Sequence, residues 1–484
     1  MNPGRLAKMG AAFLLGVGTA PPLAADAPNN PDKAQGGTMK PVAERVTPAK
    51  LDFAWAEKRW KDPASGAEVV RLSPPNKKHY RHGYFRINEM TWDGRYIVFS
   101  ESTEIKDGRP GGEVRVVARD LVTGRVLDLG PAPLAPDGAF EPTAHLAVAR
   151  YSHRVNLIDT GKPEAMAVIQ IDIDTGKRRR IELSEKLSHI YEASFDASER
   201  YIYTPWWKEK AALEKTMALM DYRAMMAAQP GKQDMARIDL ETGKVEPAFS
   251  ASTWWMGHPN PHPSIPDLFM CCQEWYGEQS GSKWGSCREH QRIRVIDLAA
   301  GKWVHEKHPE LPWNGSSHEH WAPTGKRIYS LAGANICRID LDQGYSTWYS
   351  SPPGKGETWH VMVAPNERFL VGDGVEFDRN MPAEFRKKIE ALDPSAAIGF
   401  ARMSLSFANG GETIWLYRLP KTGTALDVSP LCKRRTLCRT KMFGQRLESN
   451  AHVTPDSRWA VFVSSSEDDW FEVWAARVPA VLAD

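Results

Sequence analysis

IDIDTGKR at residues 171–178 and IDLETGKV at 238–245 are two copies of one phrase. An apolar strand ends on Asp, a short turn carrying Gly follows, and a second strand begins, which is the pattern of a β-hairpin. The phrase returns as RDLVTGRV (119–126), IDLAAGKW (296–303) and IDLDQGYS (339–346), and in degenerate form as YRLPKTGT (417–424) and VWAARVPA (473–480). A partner phrase runs from a strand through a Pro/Asp/Gly turn into an apolar strand. Its copies are MTWDGRYIVFS (90–100), SFDASERYIYT (194–204), HPSIPDLFMCC (262–272), WAPTGKRIYSL (321–331), VAPNERFLVGD (363–373) and VTPDSRWAVFV (453–463), with a weaker one at ARYSHRVNLID (149–159). Hairpins repeated at periods of tens of residues, without strand–helix alternation, predict an all-β, seven-bladed β-propeller. SGAEVVRLS (65–73) has no blade of its own, and the last blade stops one strand short after FEVWAARV (471–478). The first is expected to complete the second and so remove two free sheet edges.

The 484 residues would ordinarily suggest several domains, but a propeller is one domain whatever its blade count. Two insertions, 208–228 and 382–392, have helix-favouring composition and predict short helical insertions in the ring. At the N-terminus, Arg5 and Lys8 precede a short apolar run at 9–20 and the small residues Ala24 and Ala25. This reads as a signal peptide over 1–25, then a disordered linker over 26–50 and a propeller over 51–484. The expected location is therefore periplasmic or secreted, with no membrane insertion after cleavage. A net charge of +2 gives no global field for nucleic acid. Most of the 18 Trp are expected between sheets, the rest along a sugar groove. Six cysteines in an exported chain permit Cys432–Cys438 and a pair of Cys287 with Cys271 or Cys272, leaving Cys337 as a buried thiol.

The 14 histidines are not scattered. His82, His145, His189, His258, His318, His360 and His452 each fall shortly before an inner-strand turn, one per repeat. Inner strands of a propeller start at one rim of the central channel, so these side chains are expected around one funnel. Imidazole is a base or metal ligand near neutral pH. The densest stretches are 256–275, 316–325 and 444–456. Their mixed N and O donors, without paired thiolates, suit Mn²⁺ or another divalent cation better than structural zinc.

On these motifs the chain resembles the oligogalacturonate lyases, seven-bladed propellers that cleave short pectin fragments by β-elimination. The likeness covers nearly the whole mature chain and is most specific at GHP…FMCCQE (257–274), HEHWAPTG (318–325) and HVMVAPNERFLVGDG (360–374). The resemblance implies His258 as catalytic base, Arg237 as the nearest match to a catalytic arginine, and His360 as a Mn²⁺ ligand. A last-blade motif of one Gln and two His ligands is matched by Gln445, with Glu448 and Asn450 at the histidine positions and His452 displaced by two. Gly444 stands where the family has an arginine, and Arg446 follows. His82, His318, Glu319, His320 and Arg446 complete the expected contacts to an anionic uronate oligosaccharide.

Elimination from a uronate needs its carboxylate neutralised, a neutral base at the C5 proton, and a proton for the leaving C4 oxygen, from water, His318 or Glu319. It needs no nucleophile, so the lack of a serine elbow does not count against an enzyme. Two rival readings stay open: a lyase for another uronate, and a non-catalytic periplasmic propeller that binds a glycan or a protein. Oligomeric state is not legible.

Overall fold

The repeated phrase builds its own turn. Asp120, Asp172, Asp239 and Asp340 end the third strand of their blades, and each backbone carbonyl accepts the N–H of a glycine four residues on, at 2.8–3.0 Å. The same Asp side chains accept further turn N–H groups, such as Thr123 at 2.9 Å and Thr175 at 2.8 Å. This is the Asx-turn chemistry for which Asp and Gly are selected.

The computed structural model describes residues 46–83, 89–106, 109–135, 138–140, 142–161, 166–187, 192–207, 233–251, 254–276, 293–304, 317–332, 335–352, 357–375, 412–434, 450–465 and 470–483. They form a seven-bladed β-propeller of seven antiparallel sheets. The blades start with the strands His79–Arg81, Leu146–Val148, Ser194–Phe195, Trp254–Pro261, Ser317–Trp321, Glu357–Val363 and His452–Val453. These first strands touch those of neighbouring blades, for example blade 3 with blade 4 and blade 6 with blade 7, as expected of strands around a central axis. Described helices are single turns at Pro142–His145 and Ala480–Ala483. Both expected helical insertions lie outside the described residues, as do Cys287 and Cys438. Cys337 is buried in its strand as expected, and burial pushes its thiol up to about 12.

The ring closes as the sequence predicts. Glu68–Arg71 pairs antiparallel with Phe471–Arg477, joining Val69 to Ala476 and Val70 to Ala475. Arg59–Lys61 adds a fifth strand outside it. Trp459, fully buried at this seam, donates its indole N–H to Leu51 O at 2.9 Å. Trp415, Trp474, Trp321 and Trp206 are also buried, each in an apolar cluster that spans neighbouring blades, so these tryptophans serve sheet-to-sheet packing.

Neighbouring blades are latched at their turns. Glu199, at φ 57°, accepts from Tyr151 N (2.5 Å), Ser152 Oγ (2.6 Å) and Arg154 (3.3 Å) of the preceding blade. Glu367, at φ 52°, likewise takes Thr324 Oγ1 (2.5 Å) and Arg327 (2.7 Å). Arg154 and Arg327 hold the same place in their repeats, so one ion-pair device is used twice.

Candidate active site

One hydrogen bond sets a common frame for all seven inner strands. The N–H of Thr91, Ala149, Asp196, His262, Ala322, Ala364 and Thr454 closes the turn of its blade onto a carbonyl of the second strand. Four residues earlier stand position 87, His145, Glu192, His258, His318, His360 and Asn450. Four of the expected histidines therefore share one register. Glu192 and Asn450 hold that register in blades 3 and 7, and position 87 and His189 are outside the described residues. His452 lies two places further along, level with His320, Asn260 and Glu89.

The inner strands are distorted where these residues sit. Pairing shifts between Gly257 and Asn260 in blade 4, between Ser317 and His320 in blade 5, and between Thr358 and His360 in blade 6. His258, His318 and Asn450 have φ of 52°, 54° and 47°. A bulge re-aims a side chain that a regular strand would place elsewhere, and a left-handed non-glycine residue is held only by its surroundings.

The result is a row of side chains from consecutive blades. The rings of His258 and His318 stack with centroids 6.0 Å apart, and His318 meets His360 edge to face at 4.6 Å. His258 Nδ1 lies 3.0 Å from Oε1 of Glu319, whose side chain is wholly buried. The carboxylate fixes Nδ1 as the donor and leaves Nε2 as the basic nitrogen. His360 Nδ1 is held by Asp373 at 2.9 Å, and Asp373 also accepts the backbone N–H of His360 (3.0 Å) and of Asn450 (2.8 Å). Asp373 was not singled out in the sequence; its signal is an acid in an otherwise apolar strand, within VGDG.

Two histidines of this region are structural. His262 accepts the N–H of Ser264 (3.0 Å) and of Ile265 (2.9 Å) at Nδ1, and donates from Nε2 to Gly325 O (2.8 Å). Burial pushes its pKa down to about 4. Gly325 sits at φ 74°, and a Cβ there would strike the His262 ring. His320, named as a substrate contact, is buried and accepts Val363 N–H at 3.1 Å; burial lowers it to about 4 as well.

Arg237 is placed elsewhere. It is on the third strand of blade 3, ion-paired to Glu246 and stacked 4.8 Å over Tyr201, with none of its described contacts among the channel histidines. Gln445, Glu448 and Arg446 lie outside the described residues.

His82 and His452 form a second group with Glu89, which the sequence reading missed because it is a lone acid outside the quoted motifs. Glu89 Oε2 lies 2.6 Å from His82 Nδ1 and 3.5 Å from His452 Nε2, and the two rings meet edge to face at 5.2 Å. Burial raises the Glu89 carboxyl to about 7, against the opposing pull of His82. One donor atom from each of the three lies within 4.8 Å of the others, as do donors from His258, Cys272 and Glu319. The first set, two imidazoles and a carboxylate, fits a divalent cation. In the second, His258 and Glu319 already satisfy one another.

The chain is thus a seven-bladed propeller with a histidine–carboxylate cluster at the start of its inner strands. No family model matches it, and no curated protein does. Among solved structures it is similar to an oligogalacturonate lyase in complex with manganese, at 15% identity and a TM-score of 0.59, covering 90% of this chain and 98% of that one. It is also similar to an oligogalacturonate lyase from Vibrio parahaemolyticus, at 16% identity and a TM-score of 0.59, covering 90% and 100%. At such identities the likeness shows the fold.

Proposed function

We propose that this protein is an exported lyase that cleaves short galacturonate-type oligosaccharides by β-elimination, with His258 as the base. The observation that carries the reading is the His258–Glu319 pair, 3.0 Å apart, on a bulged inner strand beside the His318 and His360 rings. Glu319 holds the ring so that Nε2 can take the C5 proton of a uronate. The electron pair of that C–H bond becomes the C4–C5 double bond as the C4–O bond breaks. The leaving oxygen takes its proton from His318 or from water. Glu319, which the sequence offered as an alternative acid, is better used as the positioning carboxylate.

The substrate carboxylate must be neutralised for C5 to become acidic. A divalent cation such as Mn²⁺ supplies that as a Lewis acid when bound. The signal-like N-terminus supports a periplasmic or secreted location, where such oligosaccharides would be met.

The placement of Arg237, tied to Glu246, favours a second reading: a site that binds a different uronate, or one that binds a glycan without cleaving it. One experiment separates these. Incubation with oligogalacturonate, alginate and glucuronan fragments, with and without Mn²⁺, should yield products with an unsaturated uronate that absorbs in the ultraviolet. His258→Ala should lower turnover by about 10²–10⁴-fold. Binding without any unsaturated product would leave the glycan-binding reading.

A further inference from the structure

The seam where blade 7 closes onto blade 1 holds a group whose arrangement the elimination chemistry does not explain. His82 follows the first strand of blade 1, Glu89 stands at the end of the same inner segment, and His452 opens blade 7. All three are buried, with Glu89 at 1% exposure. His82 Nδ1 lies 2.9 Å from the carbonyl of Gly83 and 2.6 Å from Glu89 Oε2. Among the described residues, His82 Nε2 and Glu89 Oε1 have no hydrogen-bond partner, although both are shut off from solvent. An orphaned carboxylate oxygen beside an orphaned imidazole nitrogen is costly in a protein interior unless something charged completes the set.

The neighbouring groups differ. Around His360, Asp373 is already used by three N–H donors, and His258 is already paired with Glu319. Among the described residues, the seam brings a carboxylate and two imidazoles together, and His82 Nε2 and Glu89 Oε1 are left over after the His82–Glu89 contact is made. A metal-ligating histidine characteristically has its other ring nitrogen on a backbone carbonyl, as His82 has on Gly83. The donors are two nitrogens and an oxygen without thiolate, a set for first-row divalent transition ions rather than for Ca²⁺ or Mg²⁺, which favour oxygen.

We infer that His82, Glu89 and His452 bind one divalent transition-metal ion that clips blade 7 to blade 1. Three protein ligands leave coordination positions open. The ligands come from opposite ends of the chain, so the ion binds the closed ring and not the open chain, and must stabilise closure. The inference goes beyond the elimination chemistry and holds for a lyase or a binding protein alike.

The test uses the full chain, stripped with chelator and dialysed against Mn²⁺, and in a parallel arm against Zn²⁺. Metal content and the shift in unfolding temperature are read for wild type, Glu89→Gln, His82→Gln and, as a control outside both histidine groups, His153→Gln, whose ring is held by Asp93 and Asp174. Wild type and His153→Gln should take up at least one ion per chain and gain thermal stability with it. Glu89→Gln and His82→Gln should bind at least about tenfold more weakly and gain little. Circular dichroism of the stripped proteins shows which variants fold, and if Glu89→Gln does not, His82→Gln decides. Wild type that takes up neither ion, or seam variants whose uptake and thermal gain equal those of wild type, would overturn the site; so would loss of the ion in His153→Gln. Elimination activity is scored separately. Activity that persists with no bound ion would sink the clip alone, and an inactive protein whose ion depends on Glu89 would sink the lyase alone.

Discussion

Acid should unfold this propeller through a histidine that takes no part in the chemistry. His262 serves as an acceptor for two backbone N–H groups and a donor to Gly325 O, a role only the neutral ring can play. Protonation would turn Nδ1 from acceptor to donor against both N–H groups. Its pKa falls from 6.5 in the unfolded chain to about 4 in the fold, chiefly because it is buried. The unfolded state therefore takes up a proton that the folded state refuses. The contribution to stability is fully present above pH 6.5 and is lost as pH falls toward 4. From those two values, His262 alone should cost roughly 2 kcal/mol by pH 5 and roughly 3 kcal/mol by pH 4. The measurement is the urea midpoint at pH 7 and pH 5 for wild type and His262→Asn. The variant should be less stable at pH 7, by about 2–4 kcal/mol for the hydrogen bonds lost. It should also lose roughly 2 kcal/mol less than wild type between the two pH values. If both proteins weaken equally over that interval, the buried neutral acceptor is the wrong description of His262.

Gly325→Ala should destabilise by about 1–3 kcal/mol, since it adds a Cβ at φ 74° against the His262 ring, and the thermal midpoint reads this directly. Glu319→Gln should lower kcat by about 10²-fold or more with little change in KM, because the amide no longer holds the basic tautomer of His258; an unchanged kcat would remove Glu319 as positioning residue. Trp459→Ala should cost about 3–5 kcal/mol in denaturant unfolding, from a fully buried indole at the ring seam. Deleting residues up to 73 strips Phe471–Arg477 of its partner strand, and the shortened chain should aggregate or pair edge to edge in size-exclusion chromatography, where wild type should not.

The fold was legible because a propeller writes its turns into its sequence. An Asp that must accept turn N–H groups and a Gly in left-handed conformation cannot drift, so the phrase survived in five clear copies. The same economy let the strand at Glu68–Arg71 be assigned to the last blade. The site was only partly legible. His145, His258, His318 and His360 do share a register. His452 is not level with the others: the turn hydrogen bonds put Asn450 there and His452 two places further along. The bulges that aim His258 and His318 are backbone events that no side-chain pattern announces. Asp373 was missed because one acid in an apolar strand is invisible until its partners, distant in sequence, are seen, and Glu89 because a lone acid between strands carries no pattern. Arg237 is the nearest match to the family's arginine, but in its antiparallel strand its side chain meets the cross-strand Glu246.

The interleaved closure also sets an order of events in time. The pairing of Val69 with Ala476 joins residues near the two ends of the chain, whereas almost every other strand pair is a local hairpin. Contacts of such separation carry the largest loop-closure entropy and form late, after the blades between them have shortened the effective path. An N-terminal strand made first must wait for the last strand made. Until then the growing array is an open arc with two raw edges, and its rate of sealing, more than the stability of any blade, should govern how much of the protein escapes aggregation.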